Sequence, residues 1–428
     1  MLFVLYCILI FVSQFQYVLS FGFAGVSFTP VRVCLLVMIL YDLFTKRGKF
    51  TIQKKNNIWL IVLLIWNIWS MISFIWVKNP SGLLMVEIVL FEALGFIFYG
   101  QKLITNAERV KTVIGMLFAA CVIHNALGWL EITTKLYLFS KYTEKYSTYG
   151  YPVSTFTNTN NFGFYLALMC MVLVGIIFVS KNRIYRIASI ALLASSVMLI
   201  FKTGSRGAIL DLVIGALLFA LLLRKNLKFT LVVISLVGVG LIMLVAFPSL
   251  FDGIERIYQN AFNVNVEAVS GSDFYRMQIL ANGMDFYIDS YGFGVGAGNI
   301  EYWQGHYATR FTNNIGQMHN WWLEALVGSG TVIFILVVVA WLITYRKLIQ
   351  QYILGTRRNL TATLITFGII FGVGCVSPST LYHSEWAWAM LAIFFLISND
   401  PGIMATTVPE AVKKRRIAIR FGKRALRA

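Results

Sequence analysis

The sequence predicts an all-α polytopic membrane protein, and three observations carry the prediction. Hydrophobic residues fill 58% of the 428 positions and charged residues 13%, and the mean hydropathy is +0.75. The apolar runs repeatedly reach the roughly 20 residues that a helix needs to cross a bilayer. Lys and Arg gather on every second connection between those runs, in TKRGKFTIQKK, SKNRIYR, LRKNLK and YRKLIQQYILGTRR. Such runs must be helical, because lipid offers the backbone no other hydrogen-bonding partner. A β-barrel would need short alternating segments, which are absent.

In chain order the apolar runs give about twelve spans of near-bilayer length. They are 2–20, 24–44, 58–77, 83–100, 112–130, 161–179, 187–202, 207–223, 229–247, 318–344, 360–376 and 384–398. The first lacks a basic leader and a small-residue cleavage site, so it reads as a retained helix. An even number leaves both termini on one side, and the basic connections make that side cytoplasmic. The domain plan is therefore helices one to nine over 1–247, an extracytoplasmic loop over 248–317, helices ten to twelve over 318–398 and a basic cytoplasmic tail over 399–428. Membrane topology accounts for most of the net charge of +18, and the KKRR tail suits anionic lipid better than nucleic acid. The five cysteines, all in apolar runs with no CxxC spacing, read as small core residues.

Two outer loops are long. Residues 131–160 are rich in Tyr, Thr and Asn, which fits either sugar contact or a solvated loop with an interfacial aromatic belt. Residues 248–317 contain Phe274, Met277, Leu280, Met284 and Tyr287 at helical spacing after Ser272 or Asp273, an amphipathic helix for the membrane surface. The YGFGVGAGN that follows holds too much glycine to continue it.

Arginine in the outer half of a bundle is expensive and needs a partner or a job. Arg206 lies in KTGSRGA, a turn opening a helix, where a guanidinium fork and backbone N–H groups suit a phosphate; the plain alternative is pairing with Asp211 or capping. Arg32 follows Pro30 with no acid nearby in sequence, and snorkelling is its alternative. Arg276 sits one turn into the surface helix and Arg256 is a weaker candidate. Gly294, Gly296 and Gly298 lack the βαβ surroundings of a dinucleotide fingerprint and read as a loop approaching substrate or as a hinge. His124, in an apolar run, reads as a satisfied packing histidine. His319, at the start of the helix in MHNWWLEALVGSG, is kept neutral there and able to take a proton. Asn320 and Glu324 share a helical face that excludes His319, so Glu324 reads as structural, and Trp321 and Trp322 as interface anchors or sugar platforms. No HExxH or carboxylate cluster supplies a metal site, and no cofactor is expected.

TNTNNFGFYLAL (157–168), TGSRGAILDL (203–212), the Arg276 helix, DSYGFGVGAGN (289–299) and MHNWWLEALVGSG (318–330) come in an order that resembles the bacterial O-antigen ligase and polymerase superfamily of polytopic glycosyltransferases. The resemblance covers about 150–345 well. It implies a GT-C-like, metal-independent, inverting transferase using undecaprenyl-diphosphate-linked oligosaccharide at the outer face of the bacterial cytoplasmic (inner) membrane. By that resemblance His319 is the base and Arg206, Arg276 and Arg32 hold the diphosphate, with Gly294, Gly296, Gly298 and Asn320 in the substrate loop. Implied partners are a glycan acceptor, membrane lipids and a chain-length regulator protein, without nucleic acid. The sequence shows no large soluble C-terminal domain, which disfavours protein-glycosylating members. A polysaccharide polymerase is the expected activity. Transfer of lipid-linked glycan to lipid A-core is one alternative, and a transporter of lipid-linked sugar using Glu87, Glu92 and Arg32 is another.

Overall fold

The computed structural model describes residues 1–400 apart from 16, 17, 19, 24, 25, 47–56, 140–147, 157, 224–271 and 356. Long helices begin where the sequence supplies a cap. Asn57, Asn79, Asn106, Asn158, Asn182 and Asn320 each accept a backbone N–H at the start of α3 (Ile58–Ile72), α4 (Pro80–Leu103), α5 (Ala107–Thr134), α6 (Thr159–Val179), α7 (Arg183–Thr203) and α11 (Trp321–Ile353), respectively. An uncapped N–H at a membrane boundary has little water to turn to, so these caps fix where helices start. The other helices are α1 (Leu2–Ser13), α2 (Pro30–Lys46), α8 (Arg206–Leu223), α9 (Ser272–Asp289), α10 (Ile300–His306), α12 (Arg358–Gly374) and α13 (Glu385–Asn399).

Among the described residues seven helices are long and apolar enough to cross a membrane, namely α3 extended to Ile75, α4 to α8, and α11. Three more, α1, α12 and α13, are shorter apolar helices. The protein is an all-helical polytopic membrane protein in its described spans. The expected span 229–247 and the basic tail beyond 400 lie outside the described residues, as does Arg256. The expected span 24–44 needs correction. Phe21–Phe23 (β1) and Val26–Phe28 (β2) pair antiparallel with Phe21 opposite Phe28, and the helix starts only at Pro30. Proline lacks the N–H that a first turn leaves unused, whereas glycines at 22 and 25 disfavour a helix before it.

The central helix is α6, which packs against α5, α7, α8 and α12 and is buried along most of its length. Gly163 permits the close approach of α8, since a Cβ there would stand 2.8 Å from the Ala208 Cβ. Close backbone approach is how membrane helices gain packing that lipid cannot oppose. Trp321 is 1% exposed, packed with Trp66 and Trp388 inside the bundle. It therefore serves the core and is neither an interface anchor nor a sugar platform. Trp322 is half-buried and donates Nε1–H to the Gly372 carbonyl at 2.8 Å.

The turn 73–80, the described residues 148–156 and 158, and the turns 203–206 and 375–385 meet at one end of the bundle with the segment 290–320. A second, smaller core of Ile279, Phe286, Val295, Ile300, Met318 and Val327 pins α9 and α10 onto the start of α11 at that end. Lys102 pairs with Asp42, and Lys347 donates to Asn399 Oδ1 at 2.5 Å, at the opposite end.

The helix α9 stops at Asp289, and Gly292, Gly294, Gly296 and Gly298 all have positive φ. The protein fills the space that side chains would need there. A Cβ at Gly294 would lie 2.6 Å from the Gly330 nitrogen, and one at Gly298 would lie 2.7 Å from the Gly82 carbonyl carbon. Val295 N–H donates to the Val327 carbonyl at 2.9 Å, and Asn79 N–H donates to Asn299 Oδ1 at 2.7 Å, so the loop is laced to α11 and α4. Replacing Gly298 with Ala adds a strained φ to a backbone clash, a cost of about 2 kcal/mol or more. Gly298→Ala is expected to lower the melting temperature of the detergent-solubilised protein. Gly305→Ala, with nothing within 4 Å, should leave it unchanged or slightly raised.

Candidate active site

His319 lies one residue before the Asn320 cap, with φ +53, and its N–H donates to the Ser379 carbonyl at 3.0 Å. Asn320 spends its side-chain oxygen on the N–H groups of Trp322 and Leu323, at 3.1 and 3.2 Å. The imidazole is thus aimed by a left-handed residue just outside the helix. Burial, first, and the nearby Arg276 guanidinium, second, hold its pKa down at about 4, against the opposing carbonyls of Ser377 and Pro378. Desolvation and a neighbouring cation both disfavour the imidazolium. The ring is neutral at working pH, chiefly through burial, where the sequence pointed to the helix terminus. Among the described residues His319 Nδ1 is buried without a hydrogen-bond partner.

Arg276 is half-buried on the second turn of α9, and the smaller core brings that helix over His319. Sequence spacing could place Arg276 on a surface helix, but only this packing puts it beside the imidazole. Arg206 is exposed at the first position of α8, after Gly204 in the left-handed region with φ +67 and Ser205, whose Oγ accepts the Ala208 N–H at 3.4 Å. Gly207 sits so close to Ser377 that a Cβ would lie 2.6 Å from the Ser377 Cβ. Arg206 and His319 therefore flank one short segment, the turn 375–384 between α12 and α13.

That turn is the part of the site the sequence reading missed. Ser379 N–H donates to Asn161 Oδ1 at 3.0 Å, Asn158 Nδ2 donates to Ser379 Oγ at 2.5 Å, and Trp321 N–H donates to the Cys375 carbonyl at 3.2 Å. Glu324 accepts the Leu381 N–H at 3.3 Å, and the Tyr382 hydroxyl donates to the Glu324 carbonyl at 2.9 Å, so Glu324 holds the turn from below. Its structural reading stands. A cavity of about 20 Å³ next to Met318 is lined by Glu301, Glu324, Thr380, Tyr382 and His383, room for about one water molecule. Burial raises the Glu301 carboxyl and lowers the His383 imidazole.

Arg32 stands apart from the other two arginines. Its Nε donates to Glu92 Oε1 at 3.1 Å, and beside it Thr29 donates to Glu385 Oε1 at 2.8 Å. The acid absent from its sequence neighbourhood comes from α4, 60 positions away. His124 makes the contacts of a packing histidine, Nδ1 to Ser154 Oγ at 2.9 Å and Nε2 to the Gln14 carbonyl at 3.1 Å. No group of three His, Cys, Asp or Glu side chains among the described residues is placed to hold a metal ion.

The His319 ring can be titrated directly by ¹⁵N NMR on histidine-labelled protein, assigned with His319→Ala. Its midpoint is expected at about 4, well below that of an ordinary histidine. Arg276→Gln should move it upward, because removing a cation favours the imidazolium, though not fully, because burial remains.

With this geometry in place, two comparisons bear on it. The O-antigen ligase family matches residues 190–338, a stretch that contains Arg206, Arg276 and His319 and leaves out Arg32. Teichuronic acid biosynthesis protein TuaE of Bacillus subtilis (strain 168) is 28% identical over 354 residues, covering 79% of this chain and 71% of that protein. Both agree with the motifs and the bundle: the chain is a multi-pass membrane protein that is similar to the O-antigen ligase family across residues 190–338 and to a protein of polysaccharide biosynthesis over most of its length.

Proposed function

We propose that the protein is a polysaccharide polymerase joining undecaprenyl-diphosphate-linked oligosaccharide units at the outer face of the cytoplasmic membrane. The observation that carries this reading is a neutral, buried imidazole with Arg276 beside it and the Arg206 turn across Ser377. His319 takes the proton of an acceptor hydroxyl while that oxygen attacks the anomeric carbon of the donor. The bond from that carbon to the diphosphate oxygen breaks, and the lipid diphosphate leaves as an anion. Arg206 and Arg276 neutralise it, so neither a general acid nor a metal ion is needed for its departure. One displacement inverts the anomeric centre. Arg32, already engaged by Glu92, is assigned to bundle cohesion in this scheme.

The described basic connections, around 102–111, 181–186 and 346–358, lie at the end opposite His319, which supports an outward-facing site and a cytoplasmic location for both termini. The relative from Bacillus subtilis is named for teichuronic acid biosynthesis, and no feature of the outer segments ties this chain to a lipid A-core acceptor; both lean toward a polymerase over a ligase. Arg32 and Glu92, two of the charges named for the transporter alternative, are paired with each other.

Purified protein given lipid-linked repeat units and no other acceptor should extend them, also with EDTA present. His319→Ala should insert normally and lose about 10²–10⁴-fold in rate, and Arg206→Gln or Arg276→Gln about 10²–10³-fold. Undiminished polymer from His319→Ala would sink the transferase reading. Consumption of donor only when lipid A-core is supplied would replace the polymerase with a ligase.

A further inference from the structure

Next to the Arg206 turn lies a surface that the mechanism does not use. Tyr149 and Tyr151 stack with ring centroids 5.9 Å apart and planes 20° from parallel, and they are 67% and 37% exposed. Tyr151 packs over Gly204, where a Cβ would lie 3.5 Å from Tyr151 Cε1, two residues before Arg206. Lys135 ends α5 in the left-handed region, and its ammonium rests against Gly150, between the two tyrosines in sequence. Lys135 is exposed, and no carboxylate pairs with it among the described residues.

Exposed aromatic side chains are ordinary at a membrane surface, but the backbone of Tyr151, on which Tyr149 stacks, is held in place. The Tyr137 hydroxyl donates to the Tyr151 carbonyl at 3.0 Å. Glu131 accepts the N–H groups of Val153 and Ser154 at 2.7 and 2.8 Å, and Ser154 Oγ is bonded to His124 Nδ1. A platform fixed before its ligand arrives loses little entropy on binding. The negative face of a tyrosine ring attracts the polarised C–H face of a pyranose, and an ammonium at its edge attracts a carboxylate.

We propose that Tyr149, Tyr151 and Lys135 form a binding subsite for a carboxylate-bearing sugar ring of the lipid-linked glycan, beside the arginine that holds its diphosphate. The inference rests on the transferase reading above. It goes further by naming an acidic sugar as the unit recognised near Arg206. Lys135 supplies the preference for the carboxylate, and the tyrosines supply the contact with the ring.

The test reads binding without turnover, by saturation-transfer NMR on the detergent-solubilised full chain. The probes are a disaccharide of glucuronate and N-acetylglucosamine and the neutral N,N′-diacetylchitobiose. Wild type and His319→Ala should both transfer saturation to the uronate probe more strongly than to the neutral one, with affinity on the order of millimolar. Tyr149→Ala should weaken uronate binding about tenfold. Lys135→Gln should weaken it up to about fivefold, to the level of the neutral probe. Equal binding of the two probes by wild type, or binding unchanged in either variant, would overturn the proposal. No transfer in a wild-type protein that still makes polymer would remove the subsite alone, whereas polymer made by His319→Ala would remove the transferase reading and leave the subsite.

Discussion

The peptide group of Ser379 holds three distant parts of the chain together. Its N–H reaches Asn161 at the start of α6, and its carbonyl receives the N–H of His319, while its hydroxyl accepts from Asn158. Two residues earlier in the same turn, Ser377 meets Gly207, which follows Arg206. A buried polar turn of this kind is stable only when its groups are satisfied, because an unpaired one costs about 1–3 kcal/mol. The asparagines of α6 are therefore part of the site through the backbone they hold. The imidazole is aimed by a strand of hydrogen bonds that begins 158 residues before it, at Asn161.

Charge is managed differently on the two sides of that turn. Toward α11, His319 is kept neutral by burial and by Arg276, so a base stands beside a cation. Toward α13, Arg32 meets Glu92, with Glu385 held by Thr29 close by, and the charges are answered inside the protein. The first arrangement suits an incoming anion and the second suits a fixed bundle. This contrast divides the three arginines that sequence alone had grouped together.

Much of the fold was legible in the sequence, because span length and basic connections are local signals. The helices α3 to α8 and α11 answer to runs already visible as apolar stretches, and α9 to a helical spacing broken by glycine. The position of His319 at a helix start was legible as well. The turn 375–384 was not, because its importance lies in partners 54 to 221 positions away in sequence, and nothing in VSPSTLYHS announces them. The same holds for the Arg32 ion pair. The hairpin at 21–28 was hidden inside an apolar run whose length alone read as helix, and the glycines of 292–298 were read toward a ligand when their Cβ space belongs to Gly330, Val77 and Gly82. Trp321 shows the same limit, since an aromatic at a helix start is an interface anchor by pattern and a core residue by packing.

The central claim is that one site contains two kinds of residue, a base that makes the bond and arginines that hold the leaving diphosphate. Equilibrium binding of undecaprenyl diphosphate to wild type, His319→Ala, Arg206→Gln and Arg276→Gln separates these jobs most directly. The account predicts wild-type affinity in His319→Ala and about tenfold or greater weakening in each arginine variant. Arginine variants that bind as wild type does, or a His319→Ala protein weakened as much as they are, would contradict it.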